Sequence, residues 1–189
     1  LKLSIMKKII QKEHKILRGI AKPVPINEIA SPKIQKILTE MKEALDSQED
    51  GVALAAPQIA ESLQIFIVSH RAFELNEETP KNDEIHQTTV SSDENLIFIN
   101  PEIIKLSKKK ERMEEGCLSV RWLYGDVNRS TNATVQAYNE KGERFTRGAG
   151  GILAQIFQHE VDHLNGILFT DKAKDIQEIL PQKQEKHEE

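Results

Sequence analysis

Two histidines stand four residues apart, with a glutamate directly after the first, in Gln158-His159-Glu160-Val161-Asp162-His163. On a helix, residues four apart lie one above the other. His159 and His163 can therefore aim two imidazoles at one ion, while Glu160 reaches a water held there. The motif extends an apolar stripe, because Ile152, Ile156, His159 and His163 fall at offsets of 4, 7 and 11. Histidines on a buried face need partners, since an unpartnered buried polar group costs free energy. At ordinary composition this motif arises by chance in about one chain in a hundred or fewer at this length. That makes two surface histidines beside a salt-bridging glutamate the weaker reading. Such a chain must fold so that a third protein ligand meets a buried helix, with one coordination position left for water.

Three kinds of third ligand are available. A metzincin-like continuation would place a histidine where this chain has Phe169, although Gly166 is in register. A zincin of the glutamate type would need a carboxylate on a following element, and Glu178 is the candidate. The third is Cys117, the only cysteine, whose thiolate suits zinc or iron. A single cysteine allows no internal disulfide, and a buried apolar role is its plainest reading.

The rest of the chain reads as one α+β domain with antiparallel or mixed sheets around a central buried helix that carries H-E-x-x-H. Residues 31–48 read as a helix capped by Ser31 with Pro32 in its first position. Its buried face is Ile34, Ile37, Leu38, Met41 and Leu45. Leu63–Ser69 and Asn95–Ile104 are strand-like, with Pro101 demoting the far half of the second to an edge. Residues 74–94 read as a long surface loop, and Lys108–Lys110 as a solvated turn. Ala133–Tyr138 and Glu143–Thr146 read as a hairpin, and Gly148–Gly151 as a flexible lead-in to a helix over 151–165. The expected domain spans residues 6–176. Residues 1–5 are expected to lie upstream of a natural start at Met6, and 177–189 to form a charged tail, frayed from Pro181 onward. The net charge of −4 lacks the basic footprint of a nucleic-acid binder. No apolar run is long enough to span a bilayer, so a cytoplasmic location without a membrane partner is expected.

Three segments carry a family resemblance. Glu115-Gly116-Cys117-Leu118-Ser119, Gln158–His163 and Gly51-Val52-Ala53-Leu54-Ala55-Ala56-Pro57-Gln58 resemble, in order, the E-G-C-L-S, Q-H-E-x-D-H and G-x-G-x-A-A-x-Q motifs of the peptide deformylases. His14–Arg18, Lys22-Pro23-Val24, Asn100-Pro101 and Gly166–Phe169 also fit, so the likeness covers roughly residues 6–176. The resemblance implies a hydrolase that removes the formyl group from N-formyl-methionyl nascent polypeptides, and it allows a transient association with the ribosome. Cys117, His159 and His163 would hold one divalent metal ion, commonly Fe(II), with Zn or Ni as substitutes. Metal-bound water would attack the formyl carbon, with Glu160 as general base and then acid. The Gln58 side chain and the Leu118 backbone N–H would receive the oxyanion. Gly51, Val52, Ala53 and Gly116 would let substrate approach the backbone, while Ile152 and Ile156 would wall a methionine pocket. The two isoleucines are explained equally well by core packing, and Gly116 equally well by a turn.

Departures from the family pattern are informative. Ala53 replaces the usual second glycine, which is strained if φ is positive there and nearly silent otherwise. Arg121-Trp122-Leu123-Tyr124 stands where the family often has a proline. Trp122 and Tyr124 either line the substrate entrance or pack beneath the loop. Two other classes remain: an amidase acting on another acyl-amide, and a binding protein derived from a deformylase. The second should have lost at least one of Gln58, Cys117, His159, Glu160 and His163, and all five are present.

Overall fold

The computed structural model describes residues 6–75 and 95–181. The expected upstream segment 1–5, residues 182–189 of the expected tail 177–189, and all but the first two residues of the loop 74–94 lie outside them; the tail's first two residues belong instead to the last strand. The capped helix forms as α1 (Pro32–Asp46), with the Ser31 hydroxyl accepting from the Ile34 N–H at 3.4 Å. Its five expected core residues are all buried. Two short strands come next, β1 (Ala53–Ala55) and β2 (Ile65–Val68), then a single helical turn, α2 (Arg71–Glu74). After it come β3 (Leu96–Leu106), β4 (Lys110–Gly116), β5 (Leu123–Ser130), β6 (Asn132–Tyr138) and β7 (Arg144–Gly150). The motif helix is α3 (Gly151–Leu164), and β8 (Lys174–Glu178) is the last element of the described chain.

These strands make two sheets, ordered β1-β2-β3-β6-β7 and β4-β5-β8. All ladders among the described residues are antiparallel, apart from one isolated parallel bridge between Lys22 and Leu63. Strand alternation explains why β2 is a continuous apolar run. Ile65 and Ile67 join the core under α1, whereas Phe66 and Val68 point to the opposite face, under α3. β3 repeats the division: Ile97 and Ile99 on the α1 side, Phe98 on the α3 side. Phe66 and Phe98 are paired across the strands, and their rings stack with centroids 4.4 Å apart. Beyond Pro101, β3 pairs only with β6, after a register shift at Ile99/Glu102. Asn100, with φ of 50°, sits at that shift. Its amide exchanges hydrogen bonds with both the N–H and the C=O of Val24, at 2.8 and 2.7 Å.

Two expectations are corrected. Gly148–Gly151 is not a free lead-in: Gly148 and Gly150 are strand residues of β7, opposite Thr134 and Asn132, and only Gly151 turns into the helix, with φ of 54°. The three-stranded sheet was not foreseen at all. Its buried positions include Glu115 and Arg129, where a half-buried strand usually carries apolar residues, so the alternation that marks a strand is absent.

α3 lies between the two sheets and presents three stripes. Leu153, Phe157, Val161 and Leu164 pack into the phenylalanine core of the five-stranded sheet. Gln155, Gln158, His159 and Asp162 reach the three-stranded sheet by hydrogen bonds. Ile152, Ile156, His159 and Glu160 border a cavity.

Candidate metal and active site

Cys117 comes directly after the last residue of β4, which points its sulfur at α3. Its Sγ lies 3.2 Å from His163 Nε2, and one donor atom each from Cys117, His159 and His163 lie within 4.8 Å of one another. Glu178, the other candidate ligand, is exposed in the edge strand β8, opposite Leu123. Phe169 is buried, and its ring lies over His159 with centroids 6.3 Å apart.

Two different environments act on the imidazoles. His159 Nδ1 meets Glu115 Oε2 at 2.9 Å, which leaves Nε2 to face the thiol. Burial opposes protonation of His159, but the Cys117 and Glu115 groups outweigh it and raise its pKa well above the usual value. Burial, aided by the positive His159 beside it, drives His163 the other way and keeps it neutral. A neutral imidazole, a second imidazole oriented through its far nitrogen and a thiol form a donor set that fits zinc or iron.

Glu115 is held in turn. Arg129 donates to its two oxygens from Nε at 2.6 Å and from a terminal nitrogen at 2.9 Å. Burial pushes the Glu115 carboxyl up, yet the bonds from Arg129 and His159 reverse this and bring it to about 2. The other Arg129 terminal nitrogen donates to Asp162 Oδ2 at 2.6 Å, and Lys172 Nζ donates to both Asp162 oxygens at 2.7 Å. A line of alternating charge therefore runs from His159 to the surface. The sequence alone assigned no role to Glu115, Arg129, Asp162 or Lys172. Glu115 and Asp162 were visible as motif letters, but Arg129 and Lys172 gave no signal because their partners are distant in sequence.

Glu160 is buried beside this cluster. Its Oε2 has no protein partner among the described residues, and burial, with Glu115 contributing, raises the carboxyl to about 7. Gln58 is also buried, at 2% exposure. Its Oε1 accepts the Ala55 N–H at 2.8 Å, so its NH2 group must face the site, where it donates to Ser119 Oγ at 3.2 Å and approaches Cys117 Sγ at 3.5 Å. Ser119, visible in the sequence only as a motif letter, is what the amide leans on.

A cavity of about 340 Å³ opens onto this group. Gly51, Val52, Ala53, Gln58, Gly116, Cys117, Leu118, Ile152, Ile156, His159 and Glu160 all border it, so every candidate side chain except that of His163 meets there. His163 lies behind, almost fully buried. Ala53 lies in β1 and is not among the positive-φ residues, so its methyl carries no backbone strain. Gly116 is a strand residue rather than part of a turn, and it has a packing reason of its own: a Cβ there would come within 2.6 Å of the Tyr124 ring across the β4–β5 ladder. At Gly51 a Cβ would crowd Leu45, Gln48 and Leu118, the nearest at 2.9 Å. Trp122 and Tyr124 both border the cavity, and the Arg121 guanidinium sits 4.5 Å over the Trp122 ring.

The family model for polypeptide deformylase matches residues 6–178. A peptide deformylase of Carboxydothermus hydrogenoformans is 42% identical over 170 residues, 89% of this chain and 94% of that protein. Peptide deformylase 2 of Clostridium acetobutylicum is 35% identical over 166 residues, 88% of this chain and 94% of the relative. Among solved structures, the actinonin-bound class I type b peptide deformylase of Acinetobacter baumannii superposes with a TM-score of 0.74 at 33% identity. The match covers 90% of this chain and all of that one. The same enzyme bound to Met-Ala-Ser gives 0.73 at 31% identity, over 90% and 99% of the two chains.

Proposed function

This chain belongs to the polypeptide deformylase family, and so is an enzyme that removes N-terminal formyl groups; we propose that it does so with one divalent metal ion held by Cys117, His159 and His163. The observation that carries this reading is the meeting of the three donor atoms, within 4.8 Å of one another, beside a buried glutamate with a free oxygen. A bound divalent ion supplies Lewis acidity, lowering the pKa of a water and drawing charge from the formyl oxygen. Fe(II) is the ion we favour, with zinc or nickel as substitutes, since a thiolate and two imidazoles suit all three.

The protein's own groups do the rest. Glu160, buried beside the three donors with one carboxyl oxygen unpartnered among the described residues, accepts a proton from the attacking water and returns it to the leaving amine. Water and the formamide bond are consumed; formate and a free amino terminus are produced. Gln58 Nε2, already turned toward the cysteine by the Ala55 N–H, donates to the oxygen that gains charge, together with the Leu118 backbone N–H. A neutral amide does this without adding a charge that would compete with the ion. Ile152, Ile156 and Val52 give the cavity the apolar wall that a methionine side chain needs. The relative solved with Met-Ala-Ser bound supports N-formyl-methionyl peptides as the substrate.

The test is formate release from formyl-Met-Ala-Ser by protein loaded anaerobically with iron, nickel or zinc. Glu160→Ala, run alongside, should lower kcat by about 10²–10⁴-fold while retaining the metal. A Glu160→Ala protein as active as its parent would overturn the assigned proton transfer.

A further inference from the structure

One helix side chain closes part of the strand edge that faces the cavity. Among the described residues β4 is an outer strand: one edge pairs with β5, and no described strand pairs with the other. Backbone groups that point away from the paired edge recur every second residue. The Glu114 carbonyl is one of them, because it accepts Gln155 Nε2 from α3 at 2.7 Å. Gly116 shares that direction and stands next to Cys117. Gln155 lies one turn before His159 and borders the cavity together with Glu114, Gly116, Ile152 and Ile156. The deformylation chemistry does not use it. It helps anchor α3 to β4, but its side chain is only half-buried and its amide stands at the cavity rim, where a bound peptide would pass.

We propose that Gln155 is a specificity-determining residue: by occupying the Glu114 carbonyl, it confines main-chain pairing of a bound peptide to Gly116 and makes the enzyme indifferent to residues beyond the second. The inference rests on the deformylase reading of the same site. A peptide whose formyl group lies at Cys117 and whose methionine pairs beside Gly116 runs along the open edge of β4. It meets Glu114 about 7 Å farther on, two residues along an extended chain. The third substrate residue therefore arrives at an acceptor that is already taken. Displacing Gln155 exchanges one hydrogen bond for another, and the net gain is close to zero. An enzyme arranged in this way reads the formyl group and the methionine and takes little account of residues farther along the peptide.

The experiment compares formyl-Met-Ala-amide with formyl-Met-Ala-Ser-amide on metal-loaded wild type and Gln155→Leu. Leucine keeps the bulk of the cavity wall and removes the amide. In the wild type, kcat/KM for the two peptides should agree within about twofold. In Gln155→Leu the ratio should shift about fivefold toward the longer peptide, through KM, as expected for one freed hydrogen bond of about 1 kcal/mol. The proposal fails if the wild type already favours the longer peptide as strongly as the variant does, or if the variant's ratio moves through kcat alone. No formate from either peptide with the wild type would count against the deformylase reading itself, and this inference would fall with it.

Discussion

The two sides of α3 that meet the sheets are held by different forces. Toward the five-stranded sheet, Leu153, Phe157, Val161 and Leu164 sink into a core containing Phe66, Phe98 and Val135. Toward the three-stranded sheet, Gln155, Gln158, His159 and Asp162 each make a hydrogen bond to a backbone or charged group of β4 or β5. Burial is non-directional, so the apolar side determines where the helix lies but tolerates small rotations about its axis. Hydrogen bonds demand alignment, so the polar side sets the rotation and, through Glu115, the orientation of the His159 ring. A helix carrying two proposed metal ligands needs both kinds of restraint. The difference suggests that stability and metal retention can be damaged separately.

The largest separation is expected from Arg129→Met. It leaves Glu115 and Asp162 facing each other without the guanidinium between them, in a region where both Arg129 and Glu115 are almost fully buried. Removing one partner of such a pair costs about 3–5 kcal/mol. Denaturant unfolding should show that loss, and the folded fraction should release metal to a chelator faster than wild type. If stability fell but metal release did not change, the polar side would have no special hold on His159.

Acid should reveal the same contact in the metal-free protein. The folded Glu115 carboxyl, at about 2, lies below its ordinary 4.5, so its contribution is present above pH 4.5 and is lost as pH falls toward 2. The loss is on the order of 3 kcal/mol. Urea midpoints measured between those pH values should fall more steeply for wild type than for Glu115→Gln, and parallel slopes would argue against the contact.

Phe157→Leu probes the apolar side. It should cost about 1–2 kcal/mol through lost packing against Phe66 and Phe98, with metal release per folded molecule unchanged. Faster release in this variant would break the division between the two sides of the helix. Lys172→Met should matter least. The lysine is 41% exposed and its partner is already bound by Arg129, so a change under about 1 kcal/mol in unfolding is expected.

These same side chains explain why one half of the frame was readable and the other was not. Ile34, Ile37, Leu38, Met41 and Leu45 repeat at the helical period, and β2 is a run of four apolar residues. Both patterns survive because burial on that side is apolar. In β4 and β5 the buried positions include Glu115 and Arg129, and the run Lys110-Glu111-Arg112-Met113-Glu114-Glu115 looks solvated although it forms a strand. Charge that is neutralised by partners fourteen or more residues away leaves no trace in local hydropathy. Tyr124 and Gly116 are a second case: the glycine is required by a ring that the register of two strands brings over it.

Taken alone, the sequence determined the chemistry on offer. Imidazole spacing of four on a helix, one thiol, a glutamate beside the first histidine and an ordered set of three motifs are local facts, and helix geometry converts the first of them directly into a face. Tertiary structure decided how those groups are held and charged. Which way the Gln58 amide turns depends on the Ala55 N–H, and whether Ala53 is strained depends on the strand it joins. Which nitrogen of His159 is free depends on Glu115, and Glu115 stays ionised because Arg129 and His159 lie against it. Orientation and protonation depend on distances between side chains remote in sequence, and those distances exist only once both sheets have closed around α3.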